Sequence, residues 1–228
     1  NDYVESDMAW MDLDAPLEPT LGPYETYEDG LMGWKASFEA YAAVALPAES
    51  EALARYKQRL PWLERNLPIP DEQKNFKRGT ESPIRVVDVV FAAGDANSGV
   101  KAIAYNLPNL EKVREAKGSK KVLMRNIIRA KYDAMLVPIA ERVLAPKDAA
   151  KVSFEAFFDE VLHHELSHGL GPGTIVKEGR ATEVRNELQE LYSTLEEAKS
   201  DVMGVYNILA LIELGEICAG QRPGRTGA

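Results

Sequence analysis

Residues 153–169 read SFEAFFDEVLHHELSHG, and this stretch decides how the rest of the chain is understood. Ser153 is a good helix N-cap and Gly169 a natural stop, so the spacing predicts one helix over 153–168. Phe154, Phe157, Phe158 and Val161 make an apolar stripe at helical spacing. His164 and His168 then lie four apart, one turn above the other on one face. Two imidazoles so placed can close on one tetrahedral Zn²⁺, and Glu165 between them can take a proton from an attacking water. The plainer reading is a pair of packed helical histidines. His163 points about 100° away from His164 on the helix, so it reads as a packing or surface residue.

A zinc site needs a third protein ligand and an open fourth position. Glu197-Ala198-Lys199-Ser200-Asp201 supplies the first: Glu197 is the candidate third ligand. Asp201, four residues on and on the same helical face, can accept the second N–H of a ligand histidine. The two motifs in this order resemble those of thermolysin-like zinc peptidases. Glu196 has two readings. Ser193-x-x-Glu196 is a capping box, and the carboxylate can also stand behind a ligand or bind a substrate amine. Two neutral imidazoles and one carboxylate leave one Zn²⁺ with net positive charge, hence Lewis-acidic. Metal-assisted amide hydrolysis follows. A serine or cysteine nucleophile lacks a base, since the histidines in the motif are committed to the metal. Arg185 to Glu190 does not carry the Gly, Arg and paired-Glu spacing of a Nudix box.

The bulk properties agree with a folded enzyme. The 228 residues are 45% hydrophobic and 28% charged, ordinary globular composition. The net charge of −9, with no Lys/Arg cluster, argues against nucleic acid and anionic membrane surfaces as partners. No apolar run is long enough to insert in a membrane. One cysteine, Cys218, excludes an internal disulfide and a cysteine metal site. A soluble cytoplasmic or periplasmic protein is expected, and nothing in the chain fixes an oligomeric state. Asn1 at the start and the loop-like GQRPGRTGA at the end make the chain read as a piece of a longer protein.

Along the chain, residues 1–33 read as irregular with at most a short strand. Trp34 to Ala45 reads as a helix stopped by Pro47, and Glu49 to Asn66 as another broken at Pro61. Ile84 to Phe91 and Val100 to Leu107 read as strands of one hairpin. From about Leu110 onward the pattern is helical, with Lys121 to Val143 kinked at Pro138 and a last helix from Ser193 to Leu214. The fold class expected is α+β, mainly helical. Residues 1–33 and 83–112 would form part of a β-containing lobe, and 34–82 and 113–228 a helical zinc-binding lobe.

Several segments together resemble the dipeptidyl peptidase III family and its bacterial relatives. They are Gly22-Pro23-Tyr24-Glu25-Thr26-Tyr27-Glu28-Asp29, Ala104-Tyr105-Asn106-Leu107-Pro108-Asn109, the helix with Gly169, and Glu196 to Asp201. The resemblance implies a two-lobed zinc enzyme that releases dipeptides from the N-terminus of short peptides. It implies His164, His168 and Glu197 as ligands and Glu165 as base. It also implies that Tyr27 stabilises the reaction centre, Glu25 lies near the substrate amine, and Asn106 and Asn109 hold the peptide backbone. Two departures stand out. The family motif is His-Glu-x-x-Gly-His, one residue longer, and no histidine follows His168 here. A non-catalytic, zinc-stabilised peptide-binding protein, or another zinc hydrolase such as an aminopeptidase or endopeptidase, therefore remains an alternative.

Overall fold

The computed structural model describes residues 2–24, 37–76, 83–97, 102–108 and 110–217. The chain begins with α1 (Asp2–Asp12), β1 (Leu17–Tyr24) and β2 (Ser37–Ala45). It continues through α2 (Pro47–Asn66), β3 (Ile84–Gly94), β4 (Ala104–Leu107), α3 (Glu111–Lys117) and β5 (Lys120–Met124). Then come α4 (Arg125–Lys131), a π-helical turn (Tyr132–Leu136), α5 (Val137–Val143), the short α6 (Pro146–Ala149) and α7 (Phe154–Ser167). A hairpin of β6 (Thr174–Lys177) and β7 (Arg180–Glu183), the short α8 (Val184–Leu188) and the long α9 (Tyr192–Glu213) complete the described part. The fold is α+β and mainly helical, as the sequence predicts.

Five strands form one sheet in the order β1-β2-β3-β5-β4. The pairings are antiparallel except β3 with β5, which is parallel. The expected hairpin of Ile84 to Leu107 is therefore absent, because β5 lies between its two strands. α3 turns the chain back, and β5 enters beside β3 while β4 is left at the edge.

Two segments read as helical are strands. In β2, Tyr41 and Ala43 are buried on alternate positions, while Phe38 and Val44 are exposed. Alanine-rich sequence has no strong preference that survives two waiting strand edges, and β1 and β3 supply one on each side. β5 is buried at every residue, so it offers no period-2 signal and passes for the start of the following helix. Pro47 does not end a helix but opens α2 at its first turn, where its missing N–H costs nothing, and the helix runs on through Pro61. The helical run after β5 starts at Arg125, and where a kink at Pro138 is expected a π turn precedes the proline, which stands in the first turn of α5. Between α7 and α9, where the sequence reading places no particular element, the chain makes a hairpin. Its turn is Glu178-Gly179, both at positive φ (52° and 77°), the geometry of a two-residue I′ connection.

The main core forms where the sheet meets α2, α7 and α9. Leu63, Ile84, Leu123, Ile128, Leu162, Leu166 and Leu211 are buried there together. A buried carboxylate fixes the exit of α7. Glu64 of α2 accepts the Gly171 N–H at 2.9 Å and the Asn75 N–H at 2.7 Å. Gly171 has φ +78°, a conformation glycine adopts freely. α9 crosses α7 closely at Gly204. A Cβ there would stand 3.1 Å from the His164 amide nitrogen and 3.3 Å from the His163 carbonyl carbon.

The first segment is pinned by Lys120, which is fully buried with Glu18. Its Nζ donates to Trp10 O at 2.8 Å, Leu13 O at 3.2 Å and Glu18 Oε1 at 3.1 Å, and lies 4.3 Å from the Trp10 ring centroid. Removing one member of a buried pair strands the other charge. Lys120→Met is expected to lower the unfolding free energy by about 3 kcal/mol in denaturant titration, and a wild-type midpoint would refute the clamp. Gly204→Val is expected to cost about 2 kcal/mol through overpacking, read by thermal melts. An unchanged melt would mean that α7 and α9 do not need this contact.

Candidate metal centre

Ser153 caps α7 as the sequence predicts, its Oγ accepting from the Ala156 N–H at 3.2 Å. The helix stays regular through the five-residue motif, and the His168 N–H donates to His164 O at 3.2 Å. Both imidazoles therefore project from one face, their ring centroids 4.7 Å apart and nearly perpendicular at 84°. α9 packs alongside and brings in Glu197, whose carboxylate oxygens lie 3.2 Å from His164 Nε2 and 3.8 Å from His168 Nε2. One ligand atom from each of the three residues falls within 4.8 Å of the others, a group that could hold a metal ion.

Charge placement around the rings settles their tautomers. Asp201 Oδ1 lies 2.8 Å from His164 Nδ1, and Glu196 Oε1 lies 3.0 Å from His168 Nδ1. An ionised carboxylate only accepts, so each Nδ1 carries the hydrogen. In the neutral rings both Nε2 atoms then present lone pairs, and they face each other at 3.1 Å. Two lone pairs at that separation repel unless a proton or a cation lies between them. The donor set thus fits a cation taking two imidazole nitrogens and one carboxylate, with the Nδ1 sides held by carboxylates as in metal-ligand histidines generally.

The titration behaviour tells the same story. Burial alone would lower the His164 pKa, but hydrogen bonds to Glu197 and Asp201 and the charge of Glu165 outweigh it and raise it to about 9. Burial pushes Glu196 up, but hydrogen bonds from His168 and Lys199 hold its carboxyl at about 2. The hydrogen bond from His164 keeps Glu197 below the usual range despite partial burial. Glu165 is buried, and desolvation raises its pKa against the charges of His168, His164 and Lys121.

The structure gathers His164, Glu165, His168, Glu196, Glu197 and Asp201 into one site. Asn106 lies on β4, which packs against α7. Glu25, Tyr27 and Asn109 lie outside the described residues, as does Cys218. The capping box at Ser193 is not formed. α9 starts at Tyr192 without a side-chain cap, and Glu196 instead binds His168 and, at 2.7 Å, Lys199 Nζ. His163 is buried rather than exposed. Its Nδ1 donates to Asp159 O at 2.8 Å, its ring meets Tyr56 edge-on, and burial lowers its pKa to about 4, so it is neutral.

Sequence reasoning missed three contributors. Ser200 Oγ lies 3.0 Å from His168 Nδ1, one residue before the aspartate that serves the other ring. Glu160, one turn before His164, joins His164 and Asp201 in a second cluster on the Nδ1 side, and its spacing alone could have revealed it. Lys121 reaches the site from β5, and no sequence signal marks it.

Comparison with known proteins follows this geometry. The sequence profile described as Peptidase family M49 matches residues 1–209. The structure of dipeptidyl-peptidase III from Corallococcus sp. strain EGB matches with a TM-score of 0.90 and 48% identity, covering 96% of this chain and 41% of that one. That of DPP III from Caldithrix abyssi gives 0.85 and 55%, covering 96% and 42%. Nudix hydrolase 3 of Arabidopsis thaliana is 41% identical over 216 residues, 94% of this chain and 28% of that protein. Dipeptidyl peptidase 3 of Homo sapiens is 28% identical over 165 residues, 71% of this chain and 22% of that protein. The chain spans less than half the length of each of these relatives. With an α7–α9 site of this composition and a profile matched over nearly its whole length, the chain belongs to peptidase family M49.

Proposed function

We propose that this chain carries the metal-binding part of a zinc-dependent peptidase that hydrolyses short peptides and releases N-terminal dipeptides. The observation that carries the reading is the pair of facing Nε2 atoms at 3.1 Å, closed on a third side by Glu197. Nitrogen and carboxylate donors in this number suit Zn²⁺. Dipeptide release rests on the similarity to dipeptidyl peptidases. The Nudix name belongs to a protein of which this chain matches 28%, and Arg185 to Glu190 lacks a Nudix spacing.

When bound, Zn²⁺ supplies Lewis acidity toward the peptide carbonyl and the attacking water. Asp201 and Glu196 hold the Nδ1 hydrogens and so aim both Nε2 atoms at the metal position. Glu165 takes the proton from the water and passes it to the leaving amine, and its desolvated carboxylate is a stronger base than an exposed one. β4 lies at an edge among the described strands, and Asn106 on it holds the extended peptide backbone. By family resemblance Glu25 meets the substrate amine, Tyr27 stabilises the reaction centre and Asn109 joins Asn106. A division into a β-containing lobe and a helical zinc-binding lobe belongs to the same reading, with β2 and β5 counted with the sheet.

Glu165→Gln is expected to cut peptide turnover by about 10³-fold or more while metal stoichiometry stays at one. Unchanged turnover would overturn the mechanism. His168→Ala is expected to abolish stoichiometric zinc, read by elemental analysis after dialysis, and full metal content would remove the ligand assignment.

pH dependence follows from His164. Its folded pKa of about 9 lies above the ordinary 6.5. In metal-free protein the protonated ring therefore adds stability that is complete below pH 6.5 and lost as pH rises toward 9. Zinc must displace that proton, so apparent affinity should rise about tenfold per pH unit across this window. Calorimetry in buffers of different ionisation enthalpy reads the released proton. A pH-independent affinity would show that His164 is not a ligand.

A further inference from the structure

Lys121 faces Asn106 across the β4–β5 ladder, the two being direct partners in the antiparallel register. Its side chain is nearly excluded from solvent, with 1% relative exposure. Burying an ammonium is costly unless acceptors receive it. Its Nζ donates to Asn106 Oδ1 and to Ser119 Oγ, both at 3.3 Å. It also sits close to the end of α7, 3.8 Å from where a Cβ on Gly169 would stand. The zinc chemistry above makes no use of this lysine.

An ammonium has three donors and no acceptor. Only the oxygen end of the Asn106 carboxamide can therefore face it. A carboxamide left to itself can turn over and offer either its oxygen or its nitrogen. Here the choice is removed, and the Nδ2 hydrogens point away from Lys121. Among the described residues they have no acceptor. Asn106 is half-buried on a strand whose outer edge pairs with no other described strand, so among the described residues nothing occupies this donor.

We propose that Lys121 is a positioning residue for the peptide substrate, locking the Asn106 carboxamide with its N–H donors outward so that this point on β4 accepts a peptide carbonyl oxygen and rejects an N–H. Buried charge at Lys121 thereby sets the register of an extended chain along the edge strand. A neutral residue there would let the amide invert and accommodate the peptide one residue out of step. The inference rests on the reading of β4 as the peptide-holding strand.

The test is a double-mutant cycle between Lys121→Met and Asn106→Ala in the intact, metal-loaded protein. Each single change is expected to raise KM for a short peptide about tenfold with a much smaller effect on kcat, and the double variant to be no worse than Asn106→Ala alone. Lys121→Gln, which keeps a neutral donor, should recover part of the loss. The same cycle is repeated in a Glu165→Gln background by calorimetry with the same peptide, which reads affinity without turnover. Additive losses in KM or in affinity would overturn the proposal. So would a fall in kcat at constant KM, because Lys121 would then act on Glu165 and not through Asn106. If Lys121→Met fails to fold, the Lys121→Gln and Asn106→Ala pair is read by the same criteria. A protein that binds the peptide with this coupling but never cleaves it keeps the positioning role and loses the peptidase reading. One that binds no peptide loses both.

Discussion

Everything at the site depends on how closely α9 can lie against α7. Gly204 meets the backbone of α7 at His163 and His164, with no side chain to hold the helices apart. That contact is one turn from Asp201 and two turns from Glu197, so it sets their distance from the imidazoles. Ligands supplied by two helices are only as well placed as the separation of the helices. Asn207 reinforces the approach from the next turn, donating to Ser167 Oγ at 3.3 Å within the buried seam. Beyond the seam, Glu64 holds the chain leaving α7, so the motif is fixed at its side and at its end.

The centre is an electrostatic trap built before any cation arrives. Four carboxylates, from Glu165, Glu196, Glu197 and Asp201, converge on two imidazoles. Lys199 and Lys121 offset part of that charge from the periphery. Carboxylates on the Nδ1 sides do more than add charge. They choose the tautomer, and the choice leaves Nε2 opposed to Nε2. A proton or a metal ion relieves the same repulsion, and without metal the hydrogen bonds to Glu197 and Asp201 and the charge of Glu165 hold the proton on His164.

How much of this was legible in the sequence differs by kind of feature. The candidate triad of His164, His168 and Glu197 and its flanking carboxylates were, because helical periodicity converts spacing directly into shared faces. His164, His168, Glu197 and Asp201 needed only that α7 and α9 be helices and neighbours. The sheet was harder. β2 is alanine-rich and fits either period, and β5 is buried on both faces, so its lysines read as the polar start of a helix. Lys120 and Lys121 are adjacent, yet one clamps the N-terminal segment and the other reaches Asn106. No local pattern distinguishes a buried lysine with partners a hundred residues away from a solvated one. Strand order was equally hidden, since the placing of β5 between β3 and β4 is decided by packing and not by turn chemistry.

Among the described strands β4 pairs on one side only, with β5. Unpaired backbone groups on an edge strand are templates for any extended chain, including another copy of the same protein. Here the strand is four residues long, Ala104 to Leu107, and Pro108 follows with no N–H to donate. Such a stub can hold a short guest through a few hydrogen bonds, yet it is too brief to seed a growing sheet.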